Sequence, residues 1–452
     1  MKDTARSVAF RTLSRVYEDE AFTNVALLHA LSDDTLSPRD KALCTEIVYG
    51  TVRHQITIDA LLQLYIKRKL RDVEQKVLTI LRMSVYQLAY LARVPAYAVI
   101  DEAVNLAKRH ARPASGFVNG VLRSYLRAGG TVEERMEDLL RKRRANDVSA
   151  LSLRHGFPEW MVRALMDAYG CPRAEAMLAA CNDAAPLTVR VNPLKTTRHE
   201  LKETLAEALH TDVRDGGLSP QALVVPGAVN VENLPAYQTG QCTIQDEAAM
   251  LIAPLLGPEP GMHVLDMCAA PGGKTTHIAE LMRDEGTIDA YDVYLQKVRM
   301  IKAQAERLGL RSIVASLGDG RQFADKQAKY DAVLVDAPCS GLGVMRRRPD
   351  IRHRRKPSDI LQLVTLQREL LGAAIQATRP GGVIVYATCT LLPEENQQVV
   401  DWIQQHAGVS VVVEDIRESV PAMLADDVSG GLTITPERYG TDGFFMARLR
   451  KQ

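Results

Sequence analysis

Asp336, Cys339 and Cys389 are the residues of this 452-residue chain whose types and spacing point most directly to chemistry. Tyr330-Asp-Ala-Val-Leu-Val-Asp336 reads as a buried strand, and Ala337-Pro-Cys-Ser-Gly341 is the loop after it. Gly382-Val-Ile-Val-Tyr-Ala387 reads as another strand, followed by Thr388-Cys389-Thr390. Both thiols and the carboxylate therefore leave the carboxyl ends of strands, the edge where open α/β sheets bind ligands. A thiolate added to carbon 6 of a pyrimidine makes carbon 5 nucleophilic, and one hard step becomes two easier ones. A carboxylic acid beside ring nitrogen 3 can protonate the adduct, a role that suits Asp336 and calls for a raised pKa. A lone cysteine at a strand end is more often a small buried hydrophobe. Two of them flanking an aspartate at one edge favour catalysis, and the chemistry leaves open which thiol attacks.

The element that positions this edge is His263-Val-Leu-Asp-Met-Cys-Ala-Ala-Pro-Gly-Gly-Lys-Thr-Thr-His-Ile-Ala-Glu-Leu-Met282. It reads as a short strand through Asp266, a turn of small residues, and a helix with Ile278, Leu281 and Met282 at helical spacing. The glycines let the backbone approach a ligand, and the helix start offers unpaired N–H groups. Gly273-Lys274-Thr275 resembles the end of a phosphate loop, but that loop needs a glycine where Cys268 stands. The Gly-x-Gly-x-x-Gly dinucleotide pattern is also missing. Asp292, nineteen positions after Gly273 and at the end of a second strand, can accept hydrogen bonds from ribose hydroxyls. A nucleoside without a polyphosphate fits, and S-adenosylmethionine fits better than a nucleoside triphosphate or a nicotinamide cofactor.

The length implies two to four domains. The N-terminus lacks an apolar signal region and no apolar run is long enough for a bilayer span, so no membrane partner is expected. The seven cysteines, at 44, 171, 181, 242, 268, 339 and 389, form no Cys-x-x-Cys pair. Reduced thiols in a cytoplasmic protein, with no metal site, are the expectation. A formal net charge of +1 rules out a polycation, so any nucleic-acid contact must come from local patches.

Residues 1–130 read as all-helical, with Val8, Ala9, Leu13, Val16 and Tyr17 on one face and Val77, Ile80, Leu81, Leu88 and Leu91 on another. Gly129-Gly130 closes this block. Residues 131–150, with Arg141-Lys-Arg-Arg144, read as a charged helical linker. Residues 151–235 read as a small α+β domain, with strands at 187–191 and 222–225 and a helix at 198–209. Residues 236–452 alternate strand and helix, with strands at 263–266, 287–291, 312–315, 331–335, 383–387 and 443–448. The last pattern predicts a mostly parallel sheet covered on both faces.

Three segments of the first block are Glu46-Ile-Val-Tyr-Gly-Thr-Val-Arg53, Leu81-Arg-Met-Ser-Val-Tyr-Gln-Leu88 with Val94-Pro-Ala96, and Gly116-Phe-Val-Asn-Gly-Val-Leu-Arg123. They resemble the NusB antitermination-factor fold, a helical RNA-binding bundle. Asp266 to Lys274, Asp336-Ala-Pro-Cys-Ser-Gly341, Tyr386-Ala-Thr-Cys-Thr390 with Glu394-Glu-Asn396, and Thr441-Asp-Gly-Phe-Phe445 resemble the RNA 5-methylcytosine methyltransferase family (NOL1/NOP2/Sun type). Asn192-Pro193 and Gln245-Asp-Glu-Ala248 also match segments that precede the cofactor domain in that family. The resemblance implies an all-α NusB-like bundle, a small α+β domain and a C-terminal α/β Rossmann-like methyltransferase domain. It implies that Cys389 is the nucleophile and that Cys339 assists release of the product. It places Cys268, Ala269, Ala270, Pro271, Gly272, Gly273, Lys274, Asp292, Asp319 and Asp336 around S-adenosylmethionine. Asp319, after the third strand, is placed to reach the adenine amino group.

Of the eleven residues from Arg346 to Lys356, seven are Arg or Lys, and the position of this run after the Cys339 loop suggests a grip on RNA phosphates. The reading as a whole is a monomeric methyltransferase acting on carbon 5 of a cytidine in small-subunit (16S) ribosomal RNA. A base flipped into the pocket is the expected substrate pose. The rivals are a methyltransferase on DNA or transfer RNA, a non-catalytic RNA-binding assembly factor, and a phosphate-loop ATPase, which Cys268 argues against.

Overall fold

The computed structural model describes residues 4–32, 36–227, 229, 231–324 and 328–452. The chain forms two units, one of residues 1–182 with Arg347–Arg354, the other of Asp183–Arg346 with Arg355–Gln452.

The first unit is helical throughout. Val8, Ala9, Leu13 and Val16 of helix Ala5–Glu18 and Val77, Ile80 and Leu81 of helix Gln75–Tyr90 enter one core, as their spacing predicts. Tyr86 donates from its hydroxyl to Glu46, joining two of the NusB-like segments. Residues 131–150 form a helix and the start of another, packed on the core. Helix Val132–Arg143 starts at a capping box of Thr131 and Glu134, and it buries Met136, Leu139 and Leu140 in the same core. Three apolar residues at i, i+3 and i+4 make an adequate stripe, and the charges occupy the solvent face. The helices Asp147–His155, Glu159–Tyr169 and Cys171–Ala180 also belong to this compact unit.

The second unit holds two sheets. The smaller is antiparallel, with strands β1 (Leu187–Val191), β2 (Arg214–Asp215), β3 (Ala222–Val225) and β4 (Cys242–Ile244) in the order β2-β3-β1-β4. Helix Arg198–Leu209 packs Leu201 and Leu205 against Val189, Val191, Leu223 and Val225. Strand β4 lies beyond residue 235, inside the segment expected to be purely cofactor domain.

The larger sheet comprises β5 (His263–Asp266), β6 (Thr287–Asp292), β7 (Ile313–Leu317), β8 (Tyr330–Asp336), β9 (Thr378–Thr388), β10 (Val411–Val413), β11 (Leu432–Ile434) and β12 (Phe444–Lys451). The order is β10-β12-β9-β8-β5-β6-β7, with β11 also on β12. Strands β5 to β9 run parallel, while β10, β11 and β12 pair antiparallel. The sequence reading missed β10 and β11, three-residue strands too short to show a period. Alternate residues enter different cores: Leu265, Val333, Val335, Ile384 and Tyr386 in one, Val264, Ala332, Leu334, Val383 and Val385 in the other. Both faces are therefore covered, which is why these strands read as nearly continuous apolar runs. The chain turns back on itself at β5, between β6 and β8, and the carboxyl end of that strand is the switch point where such sheets bind ligands.

Candidate active site

The site is assembled from the carboxyl ends of β5, β6, β8 and β9. Strands β8 and β9 are adjacent and in register, with Asp336 opposite Ala387. The loops that leave them bring Cys339 Sγ and Cys389 Sγ to 3.3 Å, although fifty residues separate them in sequence. Both cysteines are only partly buried. A thiol pair this close cannot ionise twice at neutral pH. Cys339 is the one that keeps its proton: its hydrogen bond to Cys389 holds its pKa well above the usual range, helped by burial and by the charges of Glu395 and Asp336.

Lys274, in the first turn of helix Gly273–Leu281, donates to Asp336 Oδ2 at 2.5 Å and lies 5.2 Å from the centre of the Phe444 ring. Burial would lower its pKa, but Asp336 overrides this, and the negative charge of Cys389 and of Asp266 adds to the rise. Two features that the sequence reading left unassigned emerge here, an ion pair between Lys274 and Asp336 and the electrostatic coupling of that lysine to Cys389.

The two cysteine loops are tied by Glu395. This carboxylate, fully buried, accepts from Ser340 N (2.8 Å), Ser340 Oγ (2.5 Å), Thr390 Oγ1 (3.1 Å) and Gln367 Nε2 (3.0 Å). Ser340 follows one cysteine and Thr390 follows the other. Gly343 donates its N–H to the Cys389 carbonyl at 2.9 Å, and a Cβ at Gly343 would lie 2.0 Å from the Gly443 carbonyl oxygen. The only signal of Glu395 in the sequence was its membership of the Glu394-Glu-Asn396 motif.

On the cofactor side, Gly272 has φ +107° and the space beside Gly273 is open, so the backbone of the turn is accessible. Asp266 is fully buried, accepts from Thr275 Oγ1 at 2.7 Å, and leaves Oδ1 without a partner. Burial pushes its pKa up to about 7. A buried carboxyl oxygen lacking a donor fits the amino group of an amino-acid moiety, and the sequence reading had not chosen this residue. Asp292, at the end of β6, accepts from Tyr294 N (3.1 Å) and Lys297 Nζ (3.4 Å). Cys268 is surrounded by Asp266, Asp336 and Asp292; burial first and these charges next hold its thiol well above the usual range. Asp319 accepts from Arg321 N at 2.9 Å and pairs with the Arg321 guanidinium at 2.7 Å, a more exposed arrangement than the others. The residues present suit S-adenosylmethionine: the open turn and the unpartnered Asp266 oxygen could take an amino group, and Asp292 could accept from ribose hydroxyls.

The basic run is not the free phosphate clamp that its charge suggested. Arg352 is almost fully buried in the first unit, where it donates to Cys181 O (2.9 Å) and Arg53 O (3.0 Å), both at helix C-termini, and stacks 3.6 Å from the Phe157 ring centre. Arg354 donates to Glu20 O at 2.7 Å and pairs with Asp350 at 3.1 Å. Within the second unit, Arg346 donates to Gly440 O (2.7 Å), and Arg355 to Ser340 O (3.0 Å) and Cys339 O (3.1 Å). A guanidinium has five donors and no acceptor, and carbonyls at helix ends carry negative partial charge, so these arginines serve the fold. Arg348 and Lys356 are the exposed members of the run.

Three segments of the chain match known families. Residues 253–450 match the model of the 16S rRNA methyltransferase RsmB/F family, residues 3–127 the NusB family, and residues 157–232 the ferredoxin-like domain of RsmF/B-like methyltransferases. A probable ribosomal RNA small subunit methyltransferase B of Bacillus subtilis is 37% identical over 100% of this chain and 99% of its own length. The chain belongs to the ribosomal RNA small subunit methyltransferase B family. A Synechocystis member is 38% identical over 99% of both chains, and one from Serratia proteamaculans 35% over 99% of this chain and 98% of its own. The solved structure of PH0851 shares the fold across 98% of this chain and 97% of that one, with TM-score 0.82 and 24% identity. A methyltransferase homologue from Pyrococcus horikoshii covers 68% of this chain and 100% of its own, with TM-score 0.59 and 28% identity. With family B membership comes S-adenosylmethionine as the cofactor. Among the described residues no helix is long and apolar enough to cross a membrane, and no cluster of three or more His, Cys, Asp or Glu has metal-binding geometry.

Proposed function

We propose that this protein methylates carbon 5 of a cytidine in 16S ribosomal RNA through a covalent adduct on Cys389. The observation that carries the reading is the 3.3 Å thiol pair beside the Lys274–Asp336 ion pair. Methylation of nitrogen or oxygen has no use for two thiols. S-adenosylmethionine, when bound, supplies an electrophilic methyl group.

The chain's own residues supply the rest. The Cys389 thiolate adds to carbon 6, the carbon 5–carbon 6 double bond gives up its electrons to the ring, and nitrogen 3 takes a proton from the Lys274–Asp336 ion pair. Carbon 5 is then nucleophilic and accepts the methyl group. Once Cys389 is bonded to carbon it no longer carries charge, and the first cause of the raised pKa of Cys339 disappears. Cys339 then gives its thiol proton to water, and the resulting thiolate removes the carbon 5 proton. The double bond re-forms, the sulfur–carbon 6 bond breaks, Cys389 leaves as a thiolate, and nitrogen 3 returns its proton to the Lys274–Asp336 pair. The two thiols thus act in turn, and their proximity couples the steps.

The test is to incubate the protein with methyl-labelled S-adenosylmethionine and 16S transcript, digest the RNA and identify the labelled base. Label should appear in 5-methylcytosine, vanish with Cys389→Ala, and give way to a trapped protein–RNA adduct with Cys339→Ala. Full activity of Cys389→Ala, or label in another base, would sink the reading.

A further inference from the structure

Arg190 lies on β1 of the small sheet, outside every motif assigned to catalysis, and its side chain is completely buried. All five of its N–H groups are engaged. Nε and Nη2 donate to the two oxygens of Glu280 at 3.0 and 2.8 Å, Nη2 also to Thr276 Oγ1 at 3.1 Å, and Nη1 to Gly273 O at 2.7 Å and to Gln245 Oε1. Gly273, Thr276 and Glu280 fall on one face of helix Gly273–Leu281. That helix begins at the cofactor turn. The fork therefore fixes the helix by Glu280 and its first peptide by the Gly273 carbonyl.

Within its own domain the turn is held by Ala269 N on the Tyr291 carbonyl (2.9 Å) and by Gly272 N on the Ala269 carbonyl (2.8 Å), and Arg190 adds a bond from the small sheet. Neither glycine has a side chain to pack. Next to this contact, Gln221 Oε1 meets His277 Nε2 at 2.6 Å. A second, half-buried link runs to the helix Leu295–Leu308 that follows Asp292: Arg307 donates to Tyr237 O (2.6 Å), Cys242 O (2.9 Å) and Thr243 Oγ1 (3.0 Å). Both helices that flank the cofactor site are thus gripped by the small sheet and its preceding loop.

We propose that Arg190 is a positioning residue for S-adenosylmethionine, holding the Gly273 peptide from behind, and that the small sheet serves as the buttress of the cofactor site. A buried ion pair adds little net stability compared with an apolar pair of similar size, whereas the fork onto a backbone carbonyl supplies a fixed geometry that an apolar residue cannot. The inference rests on the cofactor and not on the cytosine chemistry.

The experiment measures S-adenosylmethionine affinity of the full chain by calorimetry without RNA, RNA affinity by filter binding, and thermal melting. In the double variant Arg190→Met/Glu280→Met both buried charges are gone. It should melt within about 5 °C of wild type, bind RNA as wild type does, and lose about tenfold or more in cofactor affinity. Glu280→Gln retains an acceptor for Arg190 and the bond to Gly273, so its cofactor affinity should stay within about threefold. Arg190→Lys keeps the charge but not the fork and should also bind the cofactor more weakly. Wild-type cofactor affinity in a folded double variant overturns the proposal. If the double variant does not fold, wild-type affinity in Arg190→Lys overturns it. Because no RNA enters the calorimetry, failure of the cytosine reading would leave this result unaffected.

Discussion

Glu395→Ala against Glu395→Gln separates hydrogen-bond geometry from charge at the thiol pair. In wild type the carboxylate accepts from the Ser340 N–H and Gln367 amide on one oxygen, and from the Ser340 and Thr390 hydroxyls on the other. Alanine removes all four acceptor contacts. The hydroxyls can still bond each other, since they lie 2.7 Å apart, and Gln367 keeps the Pro338 carbonyl at 2.9 Å. The Ser340 N–H and one Gln367 N–H are left buried without an acceptor. At about 1–3 kcal/mol each, the loss should be on the order of 4 kcal/mol. The loops carrying Cys339 and Cys389 would no longer be tied, and a displacement near 1 Å costs about 10²-fold in rate. Glutamine tells a different story. Its oxygen can serve the two N–H donors, and its amide can donate to the two hydroxyls, which rotate to accept. Stability should stay within about 1 kcal/mol of wild type. The Cys339 thiol, which Glu395 helps to keep protonated, should ionise at lower pH than in wild type. Urea denaturation, turnover on 16S transcript and the pH dependence of alkylation read these three quantities. If glutamine were as destabilised and as slow as alanine, charge and not geometry would hold the loops. If alanine were fully active, Glu395 would have no part in positioning the thiols.

Two further outcomes follow from buried groups. Burial raises the Asp266 pKa from its ordinary 3.8 to about 7, so the folded state binds its proton more tightly than the unfolded state. Stability should therefore fall as pH rises from about 4 to about 7 and then level off, by up to about 4 kcal/mol from this group. The melting temperature of Asp266→Asn relative to wild type should rise across that window, and parallel profiles would refute the assignment. Arg352→Ala should destabilise the first unit by on the order of 3 kcal/mol, since it uncaps helix C-termini and loses the Phe157 contact. The salt dependence of RNA binding should not change; a slope lower by about 1 would restore Arg352 as a phosphate contact.

Local pattern carried far in this chain. The helix at 198–209, the strands at 187–191 and 222–225, and the strand-turn-helix around Gly272 are set by spacing and turn chemistry among near neighbours, and the structure has them where the sequence reads them. Chain order and small residues also placed Asp336, Cys339 and Cys389 at strand ends, because a parallel sheet delivers all its carboxyl ends to one edge. Charge counting misled at 346–356, since a tally of Lys and Arg says nothing about which faces are apolar or which carbonyls stand nearby.

What the tertiary structure alone decided was the partner of each buried polar group. The thiol contact spans fifty residues, the Lys274–Asp336 pair 62, and the Arg190–Glu280 pair 90. A buried charge must find its donors or acceptors wherever packing brings them, and packing is a property of the folded sheet order. Periodicity along the chain shows which residues turn inward, but only the register of β8 beside β9 and of β1 against the cofactor helix determines what they meet there.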